Sequence, residues 1–404
     1  MKVLFLSIGG FKSITAHDQY PDLLREFQKH GHEVYIVCAN EKRYGLPTEC
    51  VNDNGSKILR VRIGNITQSG LVEKGIATVL VGVQYKRAIN KFFNSVKFDL
   101  ILYTTPPITL VNVVKYLKKK SSARTYLILK DIFPQNAVDI GLMSTKGIKG
   151  LIYRYFRNQE KKLYEISDKI GTMSKANTEY VLKHNPEIVH TKVEECPNCL
   201  EIRPVCIAEQ EKQNLREKYE IPKNKIVFVY GGNLGKPQDI PFIIKCIKAC
   251  SHIEESFFWI VGNGTEYDLI EQHIRSEKPK NLKLSERLPK EEYDSVIASC
   301  DVGLIFLDHR FTIPNFPSRM LAYMQAGLPI LACTDPNTDI GNEITKGKYG
   351  WWCESNNERI FANIVKEICN IGFIVDRELL NTALNKFSVS HAYDVIVDSK
   401  DGRF

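Results

Sequence analysis

The feature that most constrains this chain is that its pattern begins twice. Met1–Ser7 (MKVLFLS) is a short apolar run followed by Gly9-Gly10, and Lys225–Tyr230 (KIVFVY) is another, followed by Gly231-Gly232. After the first run, Pro21 to His30 places Leu23, Leu24 and Phe27 on one helical face, Gly31 closes the helix, and Glu33–Cys38 (EVYIVC) reads as a strand. Strand, helix, strand in this order is a βαβ unit, and such units build parallel sheets. Leu59–Ile63, Leu100–Tyr103, Thr125–Leu129 and Lys169–Met173 continue the strands, with helices near 76–96, 108–120 and 147–166. The run 201–224 is polar, with few candidate core residues, and is expected to carry the linker. Beyond the restart, Phe257–Val261, Leu282–Leu284, Val302–Phe306, Pro329–Ala332 and Gly350–Trp352 read as strands. The stretch after about residue 386 is too polar for a strand and reads as a surface helix. Two doubly wound α/β domains are therefore expected.

Composition and charge narrow the function classes. The eleven cysteines are mostly isolated, and Cys38, Cys300 and Cys333 lie in apolar runs, as small hydrophobes do in a reducing compartment. Cys196 and Cys199 form a lone CxxC, read as two loop thiols rather than a metal or redox pair. No secretory signal and no apolar stretch of membrane-spanning length is visible, so a cytoplasmic protein is expected. Residues 1–200 hold 30 Lys/Arg against 18 Asp/Glu, whereas residues 201–404 hold 25 against 29. A basic first half suits an anionic membrane surface or a pyrophosphate-bearing substrate, and a solvated surface also accounts for it. No nucleic-acid module is present in the sequence. Lys149–Tyr164 (KGLIYRYFRNQEKKLY) interleaves apolar and basic residues; helix packing and peripheral membrane contact both account for it.

Doubly wound sheets bind ligands at the carboxyl ends of their strands. Gly9 and Gly10 there serve either as a tight turn or as a close approach to a phosphate or sugar. Tyr230-Gly231-Gly232-Asn233-Leu234-Gly235-Lys236 offers amides and an ammonium, both suited to a diphosphate, though it is neither a P-loop nor a GxGxxG fingerprint. Val261-Gly262-Asn263-Gly264-Thr265-Glu266 is either a turn into a helix capped by Thr265 or room for a flat base. In Asn315-Phe316-Pro317-Ser318-Arg319, Ser318 reads as an N-cap, with the helix stopping at Gly327. Arg319 opposes the helix dipole in the first turn unless an anion lies nearby. In the first half, Lys130-Asp131 follows a strand; it is either a surface ion pair or, through Asp131, a site for an acceptor hydroxyl. No Asp-x-Asp occurs, so charge neutralisation by Lys, Arg and helix amides is expected in place of a metal, and no cofactor is expected.

Taken in order, Gly31-His32-Glu33-Val34, Thr105-Pro106-Pro107, Asp131-Ile132-Phe133-Pro134, Met173-Ser174, Pro197-Asn198, Tyr230–Gly235, Val261–Gly264, Asp301–Leu304 and the Pro-Ser-Arg…Tyr-Met…Ala-Gly-Leu-Pro block resemble family 4 retaining glycosyltransferases of the GT-B fold, in particular their bacterial capsule and O-antigen branch. The resemblance implies two Rossmann-like domains facing a cleft: residues 1–200, joined by a returning C-terminal helix at 386–404, for the acceptor, and 201–385 for the nucleotide-sugar donor. It implies a hexosyl- or N-acetylaminosugar transferase that moves sugar from a UDP-type donor to a lipid-linked saccharide in surface-polysaccharide biosynthesis. Such an enzyme would sit in the cytoplasm or on the inner face of the cell membrane.

On this reading Asp131, Lys236 and Arg319 carry catalysis. Donor binding falls to Gly9, Gly10, Gly232, Asn233, Lys236, Gly262, Gly264, Leu288, Ser318 and Arg319, and acceptor binding to His17, Lys130 and Asp131. The family's two donor-side glutamates are replaced by Pro314 and Ala322, with Glu343, Asp339 and Asn342 as candidate substitutes. That departure keeps two other readings open: a sugar-nucleotide epimerase of similar fold, which would draw on His17 and Asp131, and a weakly active or non-catalytic nucleotide-sugar-binding subunit.

Overall fold

The computed structural model describes residues 1–66, 69–372 and 375–397. The chain forms two compact units, Met1–Glu201 with the segment from Ser388 onward, and Ile202–Phe387.

The first unit runs β1 (Lys2–Leu6), α1 (Gln19–Lys29), β2 (Glu33–Glu41), β3 (Glu49–Asp53), β4 (Ser56–Ile63), α2 (Leu71–Phe92), β5 (Leu100–Thr105), a 3-10 turn (Ile108–Leu110), α3 (Val111–Ser121), β6 (Arg124–Leu129), α4 (Gln135–Asp139), α5 (Gly147–Ile166), β7 (Lys169–Thr172), α6 (Lys175–His184) and β8 (Val193–Glu195). Its sheet has the order β3-β4-β2-β1-β5-β6-β7-β8, parallel except for the β3–β4 hairpin. Central strands are buried on both faces, which is why β1 and β5 read as unbroken apolar runs.

The second unit holds α7 (Glu209–Lys218), β9 (Ile226–Asn233), α8 (Ile240–Ala249), β10 (Ser256–Asn263), α9 (Tyr267–Glu277), β11 (Leu282–Ser285), α10 (Lys290–Ala298), β12 (Val302–Phe306), α11 (Arg319–Gln325), β13 (Ile330–Thr334), α12 (Ile340–Lys346), β14 (Gly350–Glu354), α13 (Glu358–Ile371) and α14 (Arg377–Asn385). Its sheet is parallel throughout, in the order β11-β10-β9-β12-β13-β14. This is the doubly wound dinucleotide-fold order, and strand order reverses between β9 and β12. A core of Phe228, Tyr230, Phe258, Ile260, Phe306 and Phe361 packs one face of the sheet against α8 and α13.

The polar stretch 201–224 is not all linker: α7 lies within it. Arg216, although charged, is buried, and its guanidinium donates to Asp301 Oδ2 at 2.6 Å and to the Ser299 carbonyl at 2.9 Å. The last described helix, α15 (Val389–Val397), packs on α1. Tyr393 stacks on His30 at 3.9 Å, meets Phe27 edge-on at 4.9 Å and hydrogen-bonds His32 Nε2 at 2.9 Å. The remainder of the expected helix, 398–404, lies outside the described residues.

Candidate active site

In the second unit the switch point is the place where β9 and β12 part. Their pairing ends at Val229 and Gly303. Beyond it, the Tyr323 hydroxyl from α11 lies 3.2 Å from the Val229 carbonyl and 3.1 Å from the Leu304 carbonyl, and accepts from the Gly231 amide at 3.2 Å. This wedge keeps the strands apart and fixes the Gly231-Gly232 turn. A side chain at 231 would meet the Tyr293 hydroxyl of α10 at 1.6 Å, so only glycine fits.

Arg319 opens α11, a helix of seven residues. Its guanidinium lies 4.4 Å above the Tyr230 ring and against Gly232, where a Cβ would stand 3.3 Å from one terminal nitrogen. One guanidinium nitrogen, Nη1, is buried without a hydrogen-bond partner among the described residues. A buried guanidinium nitrogen left without an acceptor beside a glycine turn at a strand end is costly unless a ligand completes it. Ser318 occupies the N-cap position with an exposed hydroxyl, but its side chain makes no capping bond, contrary to the sequence expectation: its own backbone is already helical. Gly327 ends the helix at φ +69°, as expected of a C-terminal stop.

Other predicted donor residues group nearby in sequence and fold. Lys236 is exposed and starts a short 3-10 turn, and the Asn233 side chain bonds that of Gln238 at 3.0 Å. Gly262 and Gly264 leave no open room for a base on their side-chain faces. A Cβ there would strike the Gly232 carbonyl at 1.9 Å and the Leu234 carbonyl at 2.2 Å, so these glycines let β10 and its loop press against β9. Thr265 is not the N-cap of α9; Glu266 holds that position, without a side-chain cap. Leu288 is half-buried in the loop before α10.

Of the candidate substitutes for the missing glutamates, Glu343 is bound to Lys386 at 3.0 Å, Asp339 precedes α12 and Asn342 is exposed on it. Pro314 is buried and Ala322 half-buried. Glu266, which ends the segment expected near the donor base, is a carboxylate that sequence reasoning assigned no role of its own. Its amide donates to the Leu234 carbonyl at 2.9 Å, and its Oε2 is buried without a partner among the described residues. Burial raises its pKa, opposed by the charge of Lys236. Asp308, fully buried beyond β12, is raised by burial too, but the hydrogen bonds from Arg310 prevail and hold it below the usual carboxylate range.

In the first unit, Gly9 and Gly10 are exposed after β1, at that sheet's switch point, and the Gly9 amide donates to Ser7 Oγ at 3.1 Å. Lys130 is not paired with Asp131: its ammonium binds the Gln19 side chain and sits 4.3 Å from the centre of the Tyr20 ring. His17 belongs to a surface network in which Arg25 joins Asp22 and Glu201. Asp131 is half-buried. Burial raises its carboxyl pKa while Lys130 opposes the rise, and Thr105 Oγ1 donates to its carbonyl at 3.3 Å. Cys196 and Cys199 are buried free thiols, that of Cys196 pushed up to about 12 by burial, which opposes a reactive role.

Residues 211–380 match the family described as Glycosyl transferases group 1. The match lies within the second unit, Ile202–Phe387. The chain is similar to the probable glycosyltransferase WbjE of Pseudomonas aeruginosa, 27% identical over 276 residues. That match spans 68% of this chain and 66% of the relative, just under two thirds of its length. It is also similar to the putative colanic acid biosynthesis glycosyl transferase WcaI of Escherichia coli K12, 23% identical over 366 residues, 84% of this chain and 85% of that one.

Among solved structures, Anabaena Alr3699/HepE in complex with UDP-glucose aligns over 99% of both chains at 14% identity with a TM-score of 0.67. An Escherichia coli structure described as trehalose-6-phosphate bound with UDP-2-fluoro glucose aligns over 100% of both at 12% identity with a TM-score of 0.73. These likenesses show the fold: the chain has the GT-B architecture of two Rossmann-like units expected from its sequence.

Proposed function

We propose that this chain is a retaining glycosyltransferase that takes sugar from a nucleotide diphosphate, a UDP-sugar in the first instance, and passes it to a lipid-linked saccharide during surface-polysaccharide assembly. The observation that carries the reading is Arg319: a guanidinium held over Tyr230 beside Gly232, with one buried nitrogen, Nη1, that has no hydrogen-bond partner among the described residues. A diphosphate supplies the missing acceptors. UDP and UDP-glucose bound to the Anabaena relative, and the colanic acid assignment of the Escherichia coli one, support the donor and pathway classes.

In this proposal the second unit performs the donor chemistry. Arg319, Lys236 and the amides of Gly232 and Asn233 neutralise charge that grows on the leaving diphosphate, with no metal or other cofactor. Front-face attack by the acceptor hydroxyl retains anomeric configuration, and the departing phosphate takes the proton. The first unit presents the acceptor. Asp131, whose burial favours a carboxyl that exchanges a proton at higher pH, orients that hydroxyl. Glu266, with its unpartnered buried oxygen, takes over in this proposal the hydroxyl recognition lost at Pro314 and Ala322.

The deciding experiment incubates the protein with a panel of labelled UDP- and GDP-sugars and membrane extract. Label in the lipid fraction supports transfer. A new free sugar nucleotide makes the protein an epimerase, and donor binding without any product makes it a binding subunit.

A further inference from the structure

Two helices of the first unit carry the same unexplained pattern. On α2, Ile76, Val79, Leu80 and Val83 recur at i, i+3, i+4 and i+7, and all are 45 to 58% exposed. The opposite side of that helix, Ala77, Val81, Tyr85, Ala88 and Ile89, is already buried. A helix apolar on both sides belongs between two apolar partners, yet α2 has one. On α5, Ile148, Leu151, Ile152 and Tyr155 repeat the same spacing at 44 to 82% exposure.

The fold puts both stripes on one surface and at one end of it. The crossovers β4 to β5, β5 to β6 and β6 to β7 all step in the same direction across the sheet, so right-handed connections lay α2, α3 and α5 on the same face. The 3-10 turn at the carboxyl end of β5 touches both outer helices. Thr109 Oγ1 donates to the Thr78 carbonyl at 2.6 Å, inside the α2 stripe. Because α5 ends where β7 begins, its amino-terminal half, which bears the stripe, lies at that same carboxyl end of the sheet. Asp131, just beyond β6, lies there too.

Charge identifies the occupant. Residues 71–92 and 142–157 hold eight Lys/Arg and one carboxylate, Glu73. Lys146, Lys149 and Arg154 flank the α5 stripe, exposed, and among the described residues none has a carboxylate within ion-pair distance. Apolar stripes of in-plane helices edged by cations suit the boundary of an anionic bilayer. We infer that α2 and the first half of α5 form a two-helix face that seats the first unit on an anionic membrane surface, with the strand-end loop of Asp131 turned toward the headgroup layer. Its purpose rests on the proposed lipid-linked acceptor; its existence does not.

Flotation tests it without donor or acceptor, so its failure is distinct from failure of the transferase reading. The full chain is mixed with vesicles of phosphatidylcholine, with or without about a quarter phosphatidylglycerol. The wild-type protein should float with the anionic vesicles, and less so in about 0.5 M salt. The Leu80→Asp/Val83→Asp and Leu151→Asp/Ile152→Asp pairs should each cut partitioning at least about tenfold, the loss of two inserted apolar side chains. Lys149→Gln/Arg154→Gln, which leaves the apolar stripe intact, should weaken binding to anionic vesicles and leave the thermal melt unchanged. Wild-type protein that stays with the dense fraction overturns the inference, as do aspartate pairs that float like wild type. A wild-type dimer that these substitutions split, with no flotation, assigns the face to a second copy and overturns it equally.

Discussion

Replacing Arg319 by Met separates a ligand-binding role from a structural one because the two effects have opposite signs. In the ligand-free protein the substitution removes a buried nitrogen without a partner, which relieves about 1–3 kcal/mol. It also removes the guanidinium stacked 4.4 Å from the Tyr230 ring, which costs about 0.5–2 kcal/mol. The methionine stem keeps most of the packing. The net change lies between about 1 kcal/mol of destabilisation and about 2.5 kcal/mol of stabilisation, so the melting temperature of the second unit should fall by no more than about 4 °C. With UDP present the balance changes. A charge-assisted hydrogen bond to phosphate contributes about 1.5–3 kcal/mol, so affinity for UDP should fall roughly 10- to 150-fold. Scanning fluorimetry with and without UDP, and calorimetric titration of UDP, read both quantities. Wild-type UDP affinity in the variant refutes the placement of the diphosphate. A collapse of the ligand-free melt shows that Arg319 serves the fold.

Asp131→Asn should abolish transfer to the lipid acceptor while leaving UDP affinity unchanged. Because burial raises the Asp131 pKa in the folded state, the ionised carboxylate destabilises that state as pH rises through the raised value. The Asn variant should therefore be the more stable at pH 7, with the difference vanishing below about pH 4, where both states are protonated; urea melts across that range check it. Turnover in EDTA should equal turnover with added magnesium or manganese; restoration by metal after EDTA loss would show that a metal carries the diphosphate charge. Gly231→Ala drives a methyl into the Tyr293 hydroxyl at 1.6 Å and should cost about 1–3 kcal/mol by urea melt. Its combination with Tyr293→Ala should be clearly less destabilised than the two single changes summed.

Much of the fold was legible because buried parallel strands must be apolar along their whole length and must end in turns. Both starts of the pattern, at β1 and β9, follow from that alone. What escaped were elements without such a signature. The β3 strand (Glu49–Asp53) has no apolar alternation and exists because β4 offers it a hairpin partner. The α7 helix looked like linker because its main anchor is a charged residue, Arg216, whose partner Asp301 is 85 positions away.

The site shows the same division. Arg319 could be singled out because a cation at a helix start is a local anomaly. Tyr293 and Tyr323, which pack against the glycine turn beside it, are ordinary residues in their own helices, and only that packing against Gly231 reveals them. Gly262 and Gly264 were visible as glycines, but whether they face a ligand or a neighbouring strand depends on a backbone approach that sequence does not encode locally. Lys130 and Asp131 read as a pair by adjacency, and the lysine went to Gln19 and Tyr20 because α1 begins beside it.

The docking of α15 on α1 sets an order of assembly on the ribosome. Leu200 and Ser388 bridge side by side, so the whole second unit is an insertion between two neighbouring points of the first. The inserted unit is complete when Phe387 has emerged, whereas Phe27, His30 and His32 near the start of the chain wait for Tyr393, more than 360 residues later. Trimming the chain from its end should therefore loosen the unit made first and spare the unit made last.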